Sequence, residues 1–403
     1  MRYDFTTVMD RRGKDAMAID GLGAMPGFAP DPPKDGFDAI PMWVADMYFA
    51  TAPSVTEAIA ARTAHPAFGY FAPTTEYYDA IIRWQETRNG VTGLKKEYIG
   101  YENSVLGGLV SALNVLCSKG DAILVHSPTY IGFTNSLKNN GYHIIHSPLQ
   151  MDDGGVWRMD FADMEEKLSR GNIHAAIFCS PHNPCGRVWE KWEIEKAMEL
   201  FKKYDVYVVS DEIWSDLTLG DHQHIPTQSV SADAKERTVA LYAPTKTFNL
   251  AGLIGSYHVI YNRYLKARID KEASLSHYNG MNVFSMHALI GAYSEVGAEW
   301  VDELKAVLTK NVDYACEYIR SRFDGVGITK PEGTYMLFID CSQWCEKHGK
   351  TIEELEKMCW DVGVALQDGR MFHGSCHLRL NLAHPFSRIR EALERLDKYV
   401  FNA

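Results

Sequence analysis

The sequence predicts an α/β fold, in which the strands of a largely parallel sheet alternate with helices. Four short apolar runs of strand-forming residues recur along the chain, at 122–125, 175–179, 206–209 and 239–243. Between the second and third runs, one helix face is formed by Ile194, Ala197, Met198 and Phe201. This alternation is typical of βαβ units.

The remaining elements are predicted in the same way. Residues 104–117 are expected to form a helix, which ends at the turn-forming residues 118–121. Its apolar stripe consists of Val105, Leu109, Ala112, Leu113 and Leu116. In the C-terminal third, helical segments around 296–322 and 351–361 flank a strand-like run at 335–339. A second run at 378–382 is followed by a last helix with Ile389, Ala392, Leu393, Leu396 and Val400 in register.

The length of 403 residues predicts more than one structural unit, because a single core rarely grows past about 250–300 residues. We expect a large domain at 46–290 and a smaller α+β domain at 291–403. The N-terminal segment, 1–45, is rich in Gly and Pro from 21 to 36 and cannot fold alone. It is expected to pack with the small domain or with a partner.

Composition and charge argue against several classes of protein. The fractions of hydrophobic and charged residues, 46% and 23%, are ordinary for globular proteins. A net charge of −11 and the lack of a Lys/Arg-rich stretch make nucleic acid an unexpected partner. Neither a secretory signal nor an apolar run of about 20 residues is visible. A soluble cytoplasmic protein without a membrane partner is expected.

The eight cysteines are scattered, with no C-x-x-C pair and no histidine pair at zinc spacing. They are therefore expected to be reduced and mostly buried, and no metal site is predicted.

Each predicted strand ends in polar or turn-forming residues. In open α/β sheets, ligands bind outside the carboxyl ends of the strands, so we expect these clusters to converge on one cleft. The clusters lie at 126–130, 180–184, 210–212 and 244–246.

Two of these clusters carry a lysine and an aspartate whose settings are unusual. Lys246 leads into an apolar segment, 247–253, whereas an ordinary lysine is a solvated surface charge. Held there, its amine can attack an aldehyde. Asp211 would need a partner at its strand end, unless it caps a helix. Together with Asn183 and Tyr130, these groups are what a pyridoxal phosphate site requires: a Schiff-base lysine, an acid on the ring nitrogen, a donor to the ring oxygen and a stacking aromatic.

Several motifs in order resemble the fold-type I pyridoxal-phosphate-dependent aminotransferase family, classes I and II. They are Ser180-Pro181-His182-Asn183-Pro184-Cys185-Gly186-Arg187, Ser210-Asp211-Glu212-Ile213, residues 243–253 and residues 378–383. Residues 41–47 and the Lys246 segment are similar to the MalY/PatB-like cystathionine β-lyase branch. The resemblance covers nearly the whole chain and implies a large domain with a mainly parallel sheet flanked by helices, plus a smaller α+β domain.

The resemblance also implies roles for individual residues. Lys246 would be the Schiff-base lysine, Asp211 the partner of the pyridinium, Asn183 the donor to the ring oxygen and Tyr130 the stacking aromatic. The phosphate would lie at the start of the helix opened by Ser104, Val105 and Leu106, with a hydroxyl from Thr245. Tyr70 matches a tyrosine that reaches the phosphate of a neighbouring subunit, so the resemblance implies a homodimer.

On the substrate side, Arg379 matches the arginine that holds a carboxylate, unless it makes an ion pair within its domain. Trp43 and Val44 would lie over the substrate, unless they only pack, and Asn183 would also contact it. Four positions depart from relatives. Tyr48 stands where many have Asp, Ile131 where an aromatic is frequent, Trp214 where aminotransferases have Tyr, and Ile254 where they have Arg. The last two departures favour the lyase branch.

The expected activity is therefore a C–S β-lyase reaction on cystathionine, cysteine or a related S-conjugate. Lys246 would act as the general base that removes the α-proton, a thiolate would leave, and pyruvate and ammonia would follow. Transamination of an amino acid needs the same Lys246, Asp211 and Arg379 and is the alternative. A non-catalytic regulatory role is a third possibility.

Overall fold

The computed structural model describes residues 1–275 and 279–402, and it divides into two compact units. The sheet unit consists of Thr51–His182 and Arg187–Asp302. The terminal unit consists of Met1–Ala50, Asn183–Gly186 and the chain from Glu303 onward. The domain limits expected from the sequence, 1–45, 46–290 and 291–403, remain predictions.

Helices and strands alternate along most of the chain. The α-helices are α1 Met17–Asp20, α2 Pro53–Thr63, α3 Thr75–Asn89, α4 Val105–Leu116, α5 Ile131–Asn139, α6 Phe161–Leu168, α7 Lys191–Lys203, α8 Ala232–Arg237, α9 Arg263–Leu275, α10 Val283–Ala292, α11 Glu295–Arg322, α12 Ser342–His348, α13 Ile352–Asp361 and α14 Phe386–Leu396. The strands are β1 Ile40–Pro41, β2 Ile99–Glu102, β3 Ala122–Ser127, β4 His143–Met151, β5 Trp157–Met159, β6 Ile173–Cys179, β7 Tyr207–Asp211, β8 Thr238–Tyr242, β9 Ser256–Val259, β10 Gly327–Ile328, β11 Met336–Asp340, β12 Val364–Ala365, β13 Gln367–Asp368 and β14 His377–Asn381.

The sheet unit is built on a mixed sheet of eight strands in the order β2-β9-β8-β7-β6-β3-β4-β5. The five strands from β8 to β4 are parallel, whereas β9, β2 and β5 add antiparallel pairings at the two ends. The four strands predicted from the sequence are β3, β6, β7 and β8, which are neighbours. Their carboxyl ends therefore lie along one edge of the sheet, and the α/β class is confirmed.

Helix α4 packs on this sheet through the stripe predicted for it. The buried core of the sheet unit joins Leu109 and Leu113 of α4 to Val125 of β3, Ile177 of β6 and Leu241 of β8. The helix starts where the sequence predicts, because the Ser104 hydroxyl accepts a hydrogen bond from the Gly107 N–H at 2.9 Å.

The terminal unit contains a four-stranded antiparallel sheet in the order β10-β11-β14-β13, and a two-stranded sheet that pairs β1 with β12. The elements predicted for the C-terminal third are strands β11 and β14 and helices α11, α13 and α14, and all five are present. Among the residues that the structure describes, no helix combines the length and apolar character needed to cross a bilayer.

Candidate active site

The residues predicted for the site are divided between the two units. The sheet unit holds Tyr70, Ser104, Val105, Leu106, Tyr130, Asp211, Thr245 and Lys246. The terminal unit holds Trp43, Val44, Asn183 and Arg379. Asn183 follows β6 in the chain, but it belongs to a four-residue segment of the terminal unit. Each unit is described in turn.

Asp211 is the last residue of β7 and is only 4% exposed. One carboxylate oxygen accepts a hydrogen bond from the Ile213 N–H at 3.0 Å, in a turn rather than at the start of a helix. Burial raises the pKa of Asp211 to about 7, although this N–H and the Lys246 ammonium oppose the shift. Its charge is therefore costly unless a cation approaches closely.

Lys246 lies in a turn four residues after the end of β8, the neighbour of β7, and is half-buried. Its Nζ lies 5.8 Å from the centroid of the Trp214 ring. A cation near an aromatic face is attracted by the ring's electron density. Trp214 therefore occupies space beside the amine, and it stands where aminotransferases have a tyrosine.

The residues after Lys246 fix this turn in place. The Thr247 hydroxyl donates to Asp216 Oδ2 at 2.9 Å, and the Trp84 indole N–H donates to Asp216 Oδ1 at 3.0 Å. Phe248 stacks on Trp300 with 5.6 Å between ring centroids. Lys246 is thereby followed by two side chains that are fully buried and held by partners.

A buried network lies directly behind Asp211. Glu212 accepts hydrogen bonds from the Tyr242 hydroxyl at 2.6 Å, the Ser210 hydroxyl at 2.9 Å and the Thr227 N–H at 3.1 Å. The His224 Nε2 lies 2.7 Å from Glu212 Oε2. Burial pushes the pKa of Glu212 upward, but His224 and these hydrogen bonds outweigh it and hold the pKa below its usual value. The end of β7 is thus anchored by a carboxylate whose charge is stabilised.

The start of α4, where the sequence predicts an anion site, presents the first-turn backbone N–H groups of the helix. The first-turn N–H groups of Val105 and Leu106 have no acceptor within the helix. Asn103, which precedes the N-cap residue Ser104, is held by two hydrogen bonds. Its N–H donates to Asn279 Oδ1 at 2.7 Å, and its carbonyl accepts from the Gly255 N–H at 2.9 Å. This helix terminus is therefore held in position before any ligand arrives.

Tyr130 stands immediately before α5, in the loop that follows β3. The ring lies against Gly132, where an added Cβ would come within 2.3 Å of Tyr130 Cε1, so a larger residue there would displace the ring. The loop is held by His182, whose Nε2 lies 2.7 Å from the Pro128 carbonyl oxygen. Because a carbonyl only accepts, this nitrogen carries the proton.

In the terminal unit, Arg379 on β14 is 3% exposed and contacts three neutral oxygens. Nη2 donates to Gln367 Oε1 at 2.6 Å and to the Trp43 carbonyl at 3.0 Å, while Nη1 donates to Asn183 Oδ1 at 3.3 Å. Its guanidinium carbon lies 4.0 Å from the centroid of the Phe372 ring. These contacts fix the orientation of the planar guanidinium, and the three oxygens carry no net charge of their own.

The side chain of Trp43 is held within the terminal unit. Its indole N–H donates to the Ala18 carbonyl at 2.9 Å, and Phe28 packs against the ring edge-on at 5.6 Å. The Val44 carbonyl accepts from Asn381 Nδ2 at 2.8 Å. The packing role that the sequence left open for Trp43 is thus visible, whereas contact with a substrate remains a prediction.

The other predicted or divergent residues are placed as follows. Thr245 is half-buried just before Lys246, Tyr70 is fully exposed, and Ile131 begins α5. Tyr48 stacks on His384 at 4.3 Å between centroids, with the Arg11 guanidinium 4.8 Å from its ring. Ile254 is half exposed and has φ of +56°.

Sequence reasoning missed the residues that hold these groups. Gln367, Asp216 and Asn279 each contact a predicted site residue or its neighbour, but they come from loops or short elements with no motif. The pairing of Asn279 with Asn103 joins positions 176 residues apart.

Comparison with known proteins agrees with this geometry. Residues 39–396 match the family model described as aminotransferase class I and II. Cystathionine β-lyase PatB of Bacillus subtilis is 35% identical over 89% of this chain and 92% of its own length. Protein MalY of Escherichia coli is 28% identical over 98% of both chains.

Two solved structures share the fold over nearly the whole length. Cystalysin from Treponema denticola, which contains pyridoxal 5′-phosphate, has a TM-score of 0.90 and 30% identity, with 99% of both chains covered. A provisionally named, pyridoxal-phosphate-bound aminotransferase of Clostridium difficile 630 has a TM-score of 0.91 and 34% identity, covering 99% of this chain and all of the other. The chain therefore belongs to the class I and II aminotransferase family, and within it to the branch of PatB and MalY.

Proposed function

We propose that this protein is a pyridoxal-phosphate-dependent C–S β-lyase, which converts an S-substituted cysteine such as cystathionine into pyruvate, ammonia and a thiol. The observation that carries the proposal is the placement of Lys246 after β8 beside Trp214, with buried Asp211 ending the adjacent strand. Membership of the PatB and MalY branch supports it, because PatB is a cystathionine β-lyase.

The residues of the sheet unit fit this cofactor. Asp211 is a buried carboxylate whose pKa is raised to about 7 by burial, so a cationic partner such as a protonated ring nitrogen would stabilise its charge. The start of α4 presents N–H groups to a phosphate. Lys246 supplies a primary amine near an aromatic face. The sheet unit thus supplies a buried acid, an amine and an anion site, three of the groups that this cofactor needs.

When bound, pyridoxal phosphate supplies an aldehyde for an amine and a ring that takes up the electron pair released at the substrate α-carbon. We propose that Lys246 Nζ holds the cofactor at rest and accepts the α-proton once the substrate amine has replaced it. Asp211 keeps the ring nitrogen protonated, and Tyr130 stacks on the ring. The thiolate then leaves from the β-carbon.

We assign the phosphate to the N–H groups of Ser104, Val105 and Leu106, with the Thr245 hydroxyl as a further donor. The hydrogen bonds that fix Asn103 support this, because an anchored helix terminus loses little entropy when an anion binds. Asn183 is assigned as donor to the ring oxygen. Its Oδ1 already accepts from Arg379, which leaves its Nδ2 to donate.

Arg379 is assigned to the substrate carboxylate, with Trp43, Val44 and Asn183 as the other substrate contacts. The three oxygens that contact the buried guanidinium carry no net charge, so they do not compete with an anion for it. Arg379→Ala should raise KM for carboxylated substrates at least tenfold, because one charge-assisted pair is worth about 1.5–3 kcal/mol. Unchanged KM would remove Arg379 from this role.

We further propose a homodimer in which Tyr70 reaches the cofactor phosphate of the other subunit. Its side chain is fully exposed in this chain, and Phe68, two residues earlier, is more than half exposed. Large aromatic side chains in this state are typical of surfaces that a partner covers. A cytoplasmic location is proposed as well, because all eight cysteines are free thiols.

The test separates elimination from transamination. Purified holoenzyme is mixed with L-cystathionine in the absence of any keto acid, and pyruvate and free thiol are measured. We expect both products in equal amounts over many turnovers. Strict dependence on an added keto acid would instead identify an aminotransferase, the activity for which the family is named. Lys246→Ala serves as the control and should abolish either reaction.

A further inference from the structure

We infer that Gln367 is a positioning residue for the substrate carboxylate, and that its lack of charge sets the protein's preference for anionic substrates. The inference rests on the proposed role of Arg379 and extends it to a second residue. Gln367 is 4% exposed and lies on β13, where no motif marks it.

The β-sheet register places Gln367 directly opposite Arg379. The two residues are paired across β13 and β14, which are antiparallel, so both side chains project from the same face of the sheet. The Gln367 Oε1 accepts from Arg379 Nη2 at 2.6 Å, the shortest of the three contacts described above. Gln367 is therefore placed by the sheet itself rather than by a mobile loop.

Three groups fix the guanidinium plane together with Gln367. Phe372, fully buried, lies against the guanidinium at 4.0 Å, and the Trp43 carbonyl takes the second hydrogen of Nη2. Because both hydrogens of Nη2 then form hydrogen bonds, the orientation of the Arg379 guanidinium is fixed. Asn183 contacts the other terminal nitrogen, Nη1.

The charge of the side chain at position 367 decides whether the Arg379 guanidinium can still attract an anion. An amide oxygen orients a guanidinium while leaving its net charge at +1. A carboxylate of the same shape would make an ion pair with the guanidinium, and the buried pair would be neutral. Gln367→Glu changes only this charge, so it should preserve the fold while removing the attraction for an anion.

The test compares the wild-type holoenzyme with Gln367→Glu, Gln367→Leu and Gln367→Asn. Calorimetry measures binding of L-alanine, which has no leaving group, and of L-alaninamide, which lacks the carboxylate. Steady-state rates are measured with S-methyl-L-cysteine. Gln343→Glu, the same change at an exposed position of α12, controls for added surface charge.

We expect Gln367→Glu to weaken L-alanine binding at least tenfold and to leave L-alaninamide binding within twofold. Its KM for S-methyl-L-cysteine should rise by a similar factor, with kcat changed less than threefold. Gln367→Leu should show a smaller loss, and Gln367→Asn should recover part of it. Gln343→Glu should match the wild type in every measurement, with equal melting temperatures throughout.

Equal losses for L-alanine and L-alaninamide would show that Gln367 only supports the fold, and tight L-alanine binding by Gln367→Glu would overturn the inference outright. Failure of the wild type to bind L-alanine would also overturn it. If binding follows the expected pattern but S-methyl-L-cysteine yields no pyruvate, the proposed lyase activity fails while the role of Gln367 stands.

Discussion

At the scale of single residues, burial makes the charge of Asp211 depend on a cationic partner. The carboxyl is fully enclosed at the end of β7, and burial raises its pKa to about 7. In the unfolded chain the pKa returns to about 4. Without the cofactor, ionisation of the buried Asp211 therefore lowers the stability of the folded protein.

This loss of stability predicts a pH-dependent effect of Asp211→Asn on the cofactor-free protein. Because the folded pKa is the higher one, the contribution of Asp211 to stability is full below about pH 4 and is lost as the pH rises through 7. The variant should thus be more stable than the wild type at pH 8, by at most about 4 kcal/mol, and by much less at pH 5. Thermal unfolding at both pH values measures this, and an equal difference at the two would contradict it.

Thr247 allows a second prediction at this scale. Thr247→Val removes the hydrogen bond to buried Asp216 and leaves a carboxylate oxygen without that donor, at a cost of about 1–3 kcal/mol. Denaturant titration should show this loss, and kcat should fall because Lys246 precedes Thr247. Thr87→Val makes the same change on the exposed face of α3 and should alter stability by less than about 0.5 kcal/mol. Identical behaviour of the two variants would refute the anchoring role.

At the scale of elements, the start of α4 depends on a residue far away in the chain. Asn279 accepts from the Asn103 N–H, and its Nδ2 donates to the Tyr101 carbonyl at 2.6 Å and to Glu102 Oε2 at 3.0 Å. These bonds hold the end of β2 and the first turn of α4 in a fixed relation. The anion site is thereby built into the sheet unit.

Asn279→Ala should therefore weaken cofactor binding more than it weakens the fold. We expect the dissociation constant for pyridoxal phosphate to rise about tenfold, as measured by titration of the visible absorbance. Asn262→Ala, which removes a comparable side-chain bond at the start of α9, is the matched control and should leave the constant unchanged. If both variants bind the cofactor equally well, the hydrogen bonds of Asn279 do not contribute to the anion site at the start of α4.

Local pattern was sufficient for β3, β6, β7, β8 and α4, since each buries an uninterrupted apolar face. It was not sufficient for β4, which is largely half-exposed and contains Pro148, or for the short β9. Asp211 and Lys246 could be found because each follows or ends a predicted strand. Gln367 and Asn279 could not, because their importance lies in register and long-range contacts that a single sequence does not reveal.

At the scale of the whole molecule, the proposed dimer makes each site depend on two chains. The complementation test mixes Lys246→Ala with Tyr70→Ala, each of which should be nearly inactive alone. In a mixed dimer, one site would combine an intact Lys246 with the intact Tyr70 of the other subunit. Activity should therefore reappear after the two are unfolded and refolded together, and sedimentation should show dimers throughout. No recovery would mean that Tyr70 serves its own chain.

The proposed activity rests on one covalent assignment, the attachment of the cofactor to Lys246. Reduction of the holoenzyme with borohydride should fix this bond, and peptide mapping by mass spectrometry should then find the cofactor on the peptide that contains Lys246. The Lys246→Ala variant should carry no such label. A reduced cofactor on any other lysine, or an unlabelled Lys246 in protein that has full activity, would contradict the account.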